Sequence, residues 1–413
     1  MSDIQFCKRC LYATTHPFGL IIDNEGICSG CRIHEEKDNL DWSARWSLLE
    51  NLVKPYLNKN GGNYDCIIPV TGAQDSYYIV YLAKVKLGLN PLLVSYNKYF
   101  NTPLGIHNLA NLRIRFNCDI VYQNINPNSV KKITRSTLRQ FGSIYWPILA
   151  GHTVFPVQIA ARYKIPLIIW GAHQGLEQVG MFSHTHEVEM TRRYRKDHDL
   201  MGYEADDLLS IFDTLNEEDI WQYRYPDDRD INSVGIRGIY LGNYVRWDPK
   251  IQHEKMVNDY KYSSARFSRT FDTYDYVDCF NYMNLHDQIK LYKHGYSKVT
   301  DHACREIRHG RITRDQALSL VRFHEKKSIN YMSPFLEWLG VTKSSLRFIL
   351  DQHRNSDFWS QSKFGTWIFK GWSTKQGFEN SNNNLDSKNI FIANNKLEYN
   401  QGKKYIMIGK GYP

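Results

Sequence analysis

The stretch from Cys66 to Gly88 constrains the fold more than any other part of the chain. It opens with a short apolar run that ends at Val70, which predicts a buried parallel strand. A polar turn over 71–76 follows, and apolar residues then recur at helical spacing up to Gly88, a typical helix C-cap. A strand, a glycine-containing turn and a helix N-terminus form an anion site, because free backbone N–H groups and the positive end of the helix dipole point into the turn.

Further apolar runs predict the rest of a parallel sheet. Strands are expected at 90–96, 118–123 and 166–170, and helices at 106–116, 131–141 and 155–163. Strands that alternate with helices at this spacing predict a doubly wound α/β fold. Ligands of such folds bind beyond the carboxyl ends of the strands, so the turns at 71–76, 95–97 and 171–173 are expected to face one site.

Two cysteine pairs near the N-terminus predict a metal site. Cys7 and Cys10 form one CxxC knuckle, Cys28 and Cys31 form another, and residues 11–27 separate them. Two such knuckles are typical of a tetrahedral four-cysteine zinc site, and a redox CxxC pair is the alternative. Four thiolates leave zinc no open position, so the metal would be structural. The other four of the eight cysteines are expected to be buried thiols.

The composition narrows the function classes without choosing one. The chain has 413 residues and a net charge of +9, from 52 Lys and Arg against 43 Asp and Glu. Roughly two or three domains are expected at this length. The charge is scattered, so it is compatible with a polyanionic substrate, a nucleotide sugar or RNA. The N-terminus lacks an apolar signal segment and no run has the length of a membrane span, which predicts a cytoplasmic protein.

A helical pair is predicted in the segment 295–327. Thr300 or Asp301 is expected to cap the first helix, and Thr313 the second. Arg305 follows Asp301 by about one turn, so both side chains project from the same face of the helix. This face is interpreted either as an anion clamp or as a structural salt-bridge surface.

The turn after the first strand resembles the pyrophosphate loop of the PP-loop ATP pyrophosphatases, which usually reads SGGxDS. Here the turn reads TGAQDS. Gly72, Asp75 and Ser76 are retained, whereas Ala73 and Gln74 replace a glycine and a frequent lysine. An ordinary strand, turn and helix with Asp75 or Ser76 as the helix cap is the alternative interpretation.

Several segments together resemble one family with this fold, the PP-loop N-acetyl sugar amidotransferases of bacterial surface-sugar, O-antigen and nonulosonate biosynthesis. The resemblance spans residues 5–327 and rests on the cysteine knuckles, YDCIIPVTGAQDSYY, GLNPLLVSYN, YWPILAGHTVFPVQIAARYKIPLIIWG, GNYVRWDP and TDHACREIRHGRIT. Membership implies an ATP-dependent, AMP-forming carbon–nitrogen ligase. ATP would adenylate the oxygen of an N-acetyl group on a nucleotide-linked sugar, and ammonia would then displace AMP and leave an acetamidino group.

The resemblance also implies cofactors and partners. Mg2+ would accompany ATP, and Zn2+ would occupy the cysteine site. Ammonia would come from a separate glutaminase subunit of the histidine-biosynthesis type, and a cyclase-like subunit of the same type would help to channel it. Neither a membrane nor a nucleic acid is expected as a partner.

The same resemblance assigns candidate site residues. Asp75 and Ser76 are expected near Mg-pyrophosphate, and Asp301 and Arg305 are further catalytic candidates for sugar or phosphate contacts. The expected ATP-binding residues are Val70, Thr71, Gly72, Ala73, Gln74, Asp75, Ser76, Tyr77, Ser95, Tyr96, Asn97, Gly171 and Ala172. The expected zinc ligands are Cys7, Cys10, Cys28 and Cys31.

Four regions are predicted along the chain. They are a zinc ribbon at 1–38, a PP-loop ATP-binding α/β domain at 39–240, a helical substrate-binding region at 241–330, and a C-terminal appendage of helices and short strands at 331–413. The polar segment 174–240 is expected to be irregular, and its histidine-containing pieces at 184–186 and 197–199 are interpreted as surface loop.

Two other functions remain open at this point. A PP-loop tRNA-modifying enzyme would also combine cysteine knuckles, ATP chemistry and a basic surface. A non-catalytic scaffold for a glutaminase would explain Gln74 in the loop and Ala172, where many relatives carry an acidic residue.

Overall fold

A parallel sheet forms the centre of the computed structural model, which describes residues 4–57, 62–275, 277–329, 332–370 and 390–394. Five strands of the described chain lie in the order β3-β2-β1-β4-β5. They are β1 Cys66–Pro69, β2 Pro91–Tyr96, β3 Ile120–Gln123, β4 Leu167–Trp170 and β5 Arg237–Tyr240. Neighbouring strands are parallel throughout, so the predicted doubly wound α/β fold is confirmed. The strand order reverses between β1 and β4, and ligands bind at such a crevice in open α/β sheets.

Helices cover both faces of the sheet and form the region that follows it. The α-helices are α1 Ser29–Asn39, α2 Trp42–Val53, α3 Gln74–Val80, α4 Pro103–Phe116, α5 Pro127–Phe141, α6 Trp146–Tyr163, α7 Arg192–Tyr194, α8 Ala205–Ile211, α9 Glu217–Ile220, α10 Asp228–Val234, α11 Pro249–Tyr260, α12 Phe280–His294, α13 Lys298–Arg308, α14 Arg314–Glu325, α15 Ser333–Leu339 and α16 Lys343–Gln352. Short 3-10 turns occur at Lys54–Tyr56, His184–His186, Trp221–Tyr223 and Leu241–Asn243, and π-helical turns at Tyr81–Lys86, Gly175–Val179 and Arg195–Asp199. No helix of the described residues is long and apolar enough to cross a bilayer.

Two expected helix starts are wrong. Helix α6 begins at Trp146 instead of 155, because Pro147 lies in the first turn, where a helix needs no N–H donor. Helix α13 begins at Lys298 with Ser297 at its N-cap, so Thr300 and Asp301 do not cap it. They lie inside the first turn and are buried. The cap of α14 at Thr313 is confirmed, because the Thr313 hydroxyl accepts a hydrogen bond from the backbone N–H of Gln316.

The segment 174–240 is more ordered than expected. It contains α7 to α10 and returns to the sheet through β5. His184 is fully buried, and its Nδ1 lies 2.8 Å from Glu36 Oε1 on α1. The surface-loop interpretation is therefore wrong for His184, since this side chain holds the segment against the N-terminal region.

The four N-terminal cysteines form one buried cluster. All four sulfur atoms lie within 4.8 Å of one another. Cys7 Sγ accepts hydrogen bonds from the backbone N–H groups of Cys10 at 3.4 Å and Cys28 at 3.3 Å, as in a metal knuckle. This donor set fits a tetrahedral zinc ion. Among the described residues, no second group of three or more His, Cys, Asp or Glu side chains comes together in this way.

Helix α13 holds this ribbon against the rest of the molecule. Arg308 Nη2 lies 3.6 Å from Cys28 Sγ, and Tyr12 donates its hydroxyl proton to Asp301 Oδ1 at 2.8 Å. The backbone N–H of Leu11 also donates to Cys304 Sγ. The ribbon is thus fixed by buried polar contacts to the helix that follows α12.

The C-terminal region begins with α15 and α16 and continues into a hairpin of β6 Trp359–Gln361 and β7 Trp367–Phe369. The predicted short strands are therefore present at the start of the tail. Residues 371–389 and 395–413 lie outside the described residues, and they include the asparagine-rich segment at 380–384. Within 390–394, Phe391 packs into the main core.

We expect Gly151→Ala to lower the free energy of unfolding by about 1–3 kcal/mol, a typical cost of overpacking. A Cβ on Gly151 would lie 2.3 Å from the Tyr96 ring. That ring is buried, and its hydroxyl bonds to the Tyr223 hydroxyl, so moving the ring aside would break this contact. Urea unfolding monitored by circular dichroism measures the change. Gly62→Ala is the control, because a Cβ there meets nothing within 4 Å.

We expect Cys28→Ser to remove the bound zinc and to lower the melting temperature, because structural zinc contributes directly to folding free energy. Metal analysis of the purified protein should give one zinc per wild-type chain and less than a tenth of that in the variant. Cys118→Ser is the matched control, since Cys118 is also buried but lies outside the cluster. Equal zinc content in the two variants would contradict the four-cysteine assignment.

Candidate active site

The turn between β1 and α3 has the shape of a ligand loop. Gly72 has a positive φ of +88°, and a Cβ there would lie 2.8 Å from the Gly105 carbonyl oxygen, so the position requires glycine. The Thr71 N–H donates to Ser76 Oγ at 3.0 Å, which closes the turn. No side chain caps α3, so the alternative in which Asp75 or Ser76 caps the helix is wrong.

A cavity of about 360 Å³ lies against this turn, at the carboxyl ends of the strands. We call it the loop cavity. Its wall at the turn is formed by Val70, Thr71, Ala73, Asp75 and Ser76. The remaining turn residues of the predicted set lie behind this wall. Gln74 donates from its amide to the Asp75 carboxylate, and Tyr77 is buried with its hydroxyl donating to the Asn108 carbonyl.

The end of β2 contributes every second side chain to the wall of the loop cavity. Val94, Tyr96 and Lys98 line the loop cavity, whereas Ser95 and Asn97 are not part of its wall. The Asn97 side chain instead holds the following loop, with Oδ1 accepting from the Tyr99 N–H at 3.0 Å. The predicted set 95–97 therefore contains one wall residue, Tyr96, because successive side chains of a strand point to opposite faces.

The two predicted residues after β4, Gly171 and Ala172, do not line the loop cavity. Gly171 follows the last residue of β4 and packs closely, since a Cβ on it would lie 3.0 Å from the Ile79 side chain. Ala172 lines a separate neighbouring cavity of about 160 Å³. Trp170 and Gln174, which the sequence analysis did not select, line both this small cavity and the loop cavity.

Acidic and basic side chains share the loop cavity. Burial, and next the charge of Asp275, raise the pKa of Asp75 to about 7. Asp278 lies in the same wall and forms a buried ion pair with Lys98, with Nζ 2.6 Å from Oδ2. Lys298 lies 3.7 Å from Asp275. These carboxylates and lysines lie close to a loop suited to phosphate, which is an arrangement that Mg-nucleotides favour.

Most of these charged residues were missed by the sequence analysis. Asp275 and Asp278 come from an irregular segment that carries no recognised motif. Lys98 could have been found, because it lies two positions beyond Tyr96, the last residue of β2, and continues the alternation of that strand. Lys298 could not, since its position depends on how α13 packs against the sheet domain.

A second cavity of about 260 Å³ adjoins the first. We call it the ribbon cavity, because His16, Pro17 and Phe18 of the cysteine ribbon form part of its wall. The loop cavity and the ribbon cavity share Tyr145, Leu149, Gln174, Asp275 and Lys298 in their walls. Helices α12 and α13 add lysines, histidines and carboxylates to its wall, and the segments at 142–149, 174–201 and 267–275 complete it.

The two candidates on α13 have different positions. Asp301 lines the ribbon cavity, with its Oδ2 ion-paired to Lys290. Burial opposes its ionisation, but the charges of Lys290 and Lys298 hold the pKa of Asp301 below its usual value. Arg305 lines neither cavity and pairs with Asp272 at 2.8 Å. The sequence allows two interpretations of this face of α13, as an anion clamp or as a structural salt-bridge surface. For Arg305, the contacts fit the salt-bridge surface.

Comparison with known proteins gives one family match and several weaker similarities. Residues 263–373 match the family described as LPS biosynthesis protein WbpG-like, C-terminal domain. The uncharacterized protein MJ1599 of Methanocaldococcus jannaschii is 34% identical over 123 residues, which cover 29% of this chain and 42% of that protein.

Two solved structures are similar to about half of the chain. NH3-dependent NAD synthetase from Campylobacter jejuni, in complex with nitrate, has 14% identity and a TM-score of 0.28, covering 47% of this chain and 92% of its own. NMN synthetase from Francisella tularensis has 15% identity and a TM-score of 0.28, covering 52% and 94%. The family match is the informative finding, since it confirms the predicted relation to bacterial surface-sugar biosynthesis. Residues 263–373 are similar to the C-terminal domain of WbpG-like LPS biosynthesis proteins.

Proposed function

We propose that this chain is the synthetase subunit of an ATP-dependent amidotransferase that converts an N-acetyl group of a nucleotide-linked sugar to an acetamidino group. The observation that carries the proposal is the junction of the two cavities at Asp275 and Lys298. It allows a phosphate-binding loop and a separate acceptor site to meet at one reacting centre. The WbpG-like domain supports a sugar acceptor, because it relates the chain to LPS biosynthesis.

The loop cavity is the proposed ATP site. The backbone N–H groups of the turn and the hydroxyls of Thr71 and Ser76 would hold the pyrophosphate portion. Asp75 would ligate Mg2+, which offsets the negative charge of the departing pyrophosphate. Lys98 and Lys298 would face the phosphates, and Tyr96 and Trp170 offer aromatic surfaces for the base.

The ribbon cavity is the proposed acceptor site. Lys290 and Lys293 line it, and burial lowers the pKa of both. Lys290 pairs with Asp301, whereas Lys293 donates to the Phe141 carbonyl oxygen, so a sugar-linked diphosphate would supply Lys293 with an anionic partner. Phe18 and Tyr145 add ring surfaces against which a pyranose or a base can pack.

The reaction needs two steps at the junction. The N-acetyl oxygen attacks the α-phosphorus of ATP, an O–P bond forms and pyrophosphate leaves. Ammonia then adds to the activated carbon, the C–O bond to AMP breaks, and the nitrogen loses one proton to give the amidinium product. Adenylation is required because an amide oxygen is a poor leaving group, whereas AMP is a good one.

Ammonia is proposed to come from a partner glutaminase, with a cyclase-like subunit as a possible channel between the two. The sequence of this chain contains no convincing glutaminase motif of its own. Free ammonium at high concentration should then replace the partner in the test tube.

We expect the purified chain with MgATP and ammonium chloride to form AMP and an amidino sugar from one member of a panel of UDP- and CMP-linked diacetamido sugars. Liquid chromatography with mass spectrometry follows both products. The sugar mass should fall by about one unit as oxygen is replaced by NH. Ser76→Ala should lower the rate by about tenfold or more, because a hydroxyl at the phosphate loop is lost.

Ser319→Ala is the matched control, since Ser319 is half-buried on α14, bonds to the Asp315 carbonyl of its own helix and lines neither cavity. ATP untouched by zinc-loaded protein across the panel would contradict the proposal and favour the scaffold. Salt-sensitive tRNA binding together with an inactive sugar panel would favour the RNA-modifying enzyme.

We expect Asp75→Asn to stabilise the ligand-free protein at pH 8 but to have little effect near pH 4. The pKa of Asp75 is raised to about 7 in the folded protein, against about 3.9 in the unfolded chain. The folded state therefore binds more protons between these values, and its stability falls as the pH rises from about 4 to 7. Removing the ionisable group removes this fall.

Thermal melts of the wild type and of Asp75→Asn from pH 4 to pH 8 measure the effect. Asp259→Asn is the control, because Asp259 is exposed and pairs with Lys255. MgATP should add more stability at pH 8 than at pH 6 in the wild type, since Mg2+ binds the carboxylate form. Parallel pH profiles of wild type and Asp75→Asn would contradict the prediction.

A further inference from the structure

Thr270, His302 and Asp275 form a hydrogen-bonded chain at the junction of the two cavities. Thr270 Oγ1 lies 2.6 Å from His302 Nδ1, and His302 Nε2 lies 2.9 Å from Asp275 Oδ2. All three residues line the ribbon cavity, and Asp275 also lines the loop cavity. A hydroxyl, an imidazole and a carboxylate in this order can orient a base and move a proton.

The chemistry of the carboxylate fixes the direction of one of these hydrogen bonds. A carboxylate only accepts, so His302 Nε2 donates its proton to Asp275. Thr270 Oγ1 accepts a hydrogen bond from the Asp272 N–H at 3.2 Å and lies 2.6 Å from the other ring nitrogen, His302 Nδ1. The imidazole, itself held by Thr270, therefore holds the Asp275 carboxylate in place.

The other carboxylates of the two cavities have partners, have roles or lie away from the junction. Asp287 pairs with Arg269, and Asp199 lines the ribbon cavity but not the loop cavity. Asp278 is buried against Lys98. Asp301 accepts from Tyr12 and pairs with Lys290. Asp75 faces the phosphate loop and is the proposed Mg2+ ligand. Asp275 differs because it keeps 27% of its side chain exposed, at the place where the two cavities meet.

We propose that Asp275 is the base that receives the proton from the ammonia nitrogen in the second step, and that His302 and Thr270 are positioning residues for it. The inference rests on the proposed amidotransferase function. Ammonia would first donate a hydrogen bond to the Asp275 carboxylate, next to the activated carbon. As the C–N bond forms and the C–O bond to AMP breaks, AMP leaves with the bonding electrons. One proton passes from the new nitrogen to Asp275, and the amidinium product remains.

The two half-reactions separate this role from a structural one. Adenylation is measured without ammonium, as sugar-dependent exchange of labelled pyrophosphate into ATP. Amination is measured as amidino-sugar formation with ammonium chloride. Asp275→Asn should keep the exchange within about threefold of the wild type and slow amination by about a hundredfold, a typical contribution of a general base. Thr270→Val should slow amination by about tenfold, since it removes only the orienting hydroxyl.

His324→Gln is the matched control. His324 is as buried as His302, and its Nδ1 bonds to the Ser268 carbonyl oxygen at 2.8 Å, but it lines neither cavity. An equal loss of exchange and amination in Asp275→Asn would overturn the assignment and indicate a nucleotide-binding or structural role. Unchanged amination would overturn it as well.

The failure of this inference can be distinguished from the failure of the proposed function. If the wild type makes no AMP with any sugar of the panel, the amidotransferase proposal fails and the inference fails with it. If the wild type is active while Asp275→Asn aminates normally, only the inference fails. Nitrogen NMR of histidine-labelled protein adds an independent readout, since His302 should carry a proton on Nε2 in the wild type, and its Nδ1 resonance should move in Thr270→Val, which removes the partner of that nitrogen.

Discussion

Docking of the cysteine ribbon on α13 is the contact on which the ribbon cavity depends. Arg308 places its guanidinium against the Cys28 thiol and donates to the Glu177 carbonyl at 2.7 Å. Four thiolates with a divalent ion keep a net negative charge, and a buried charge of this kind is costly unless it is paired. Arg308 supplies that pairing. Because Asp301 and His302 lie on the same helix, the ribbon also sets their orientation in the cavity wall.

The energetic cost of the site lies in its carboxylates. Burial, and next the charge of nearby Asp275, raise the pKa of Asp75, so ionising Asp75 in the free protein costs free energy. A fold that depended only on its own stability would gain from an amide or an apolar side chain at position 75. In the proposed complex, a divalent cation and a polyphosphate would compensate this cost, so the unfavourable charge in the free protein would become binding energy.

Sequence patterns predicted the parts of the site that are local in the chain. The turn from Thr71 to Ser76 and the four cysteines carry their geometry within a few residues, through a glycine with positive φ and through CxxC spacing. The assignment of 95–97 was less successful, because a strand directs alternate side chains away from the cavity. Asp275 and Lys298 could not be predicted, since they reach the sheet only through the packing of α12 and α13.

The distribution of the site over the chain bears on how its parts work. The phosphate-binding turn lies outside the segment that matches the WbpG-like domain, whereas Asp275, Lys298 and His302 all lie within it. In the proposed reaction, the loop would hold the nucleotide through its N–H donors and Mg2+. A second wall would bring the acceptor and a base to the α-phosphorus, and Asp275, Lys298 and His302 would form part of that wall. The predicted regions 39–240 and 241–330 would then each hold one part of the proposed site, and neither part has a complete set of reacting groups without the other.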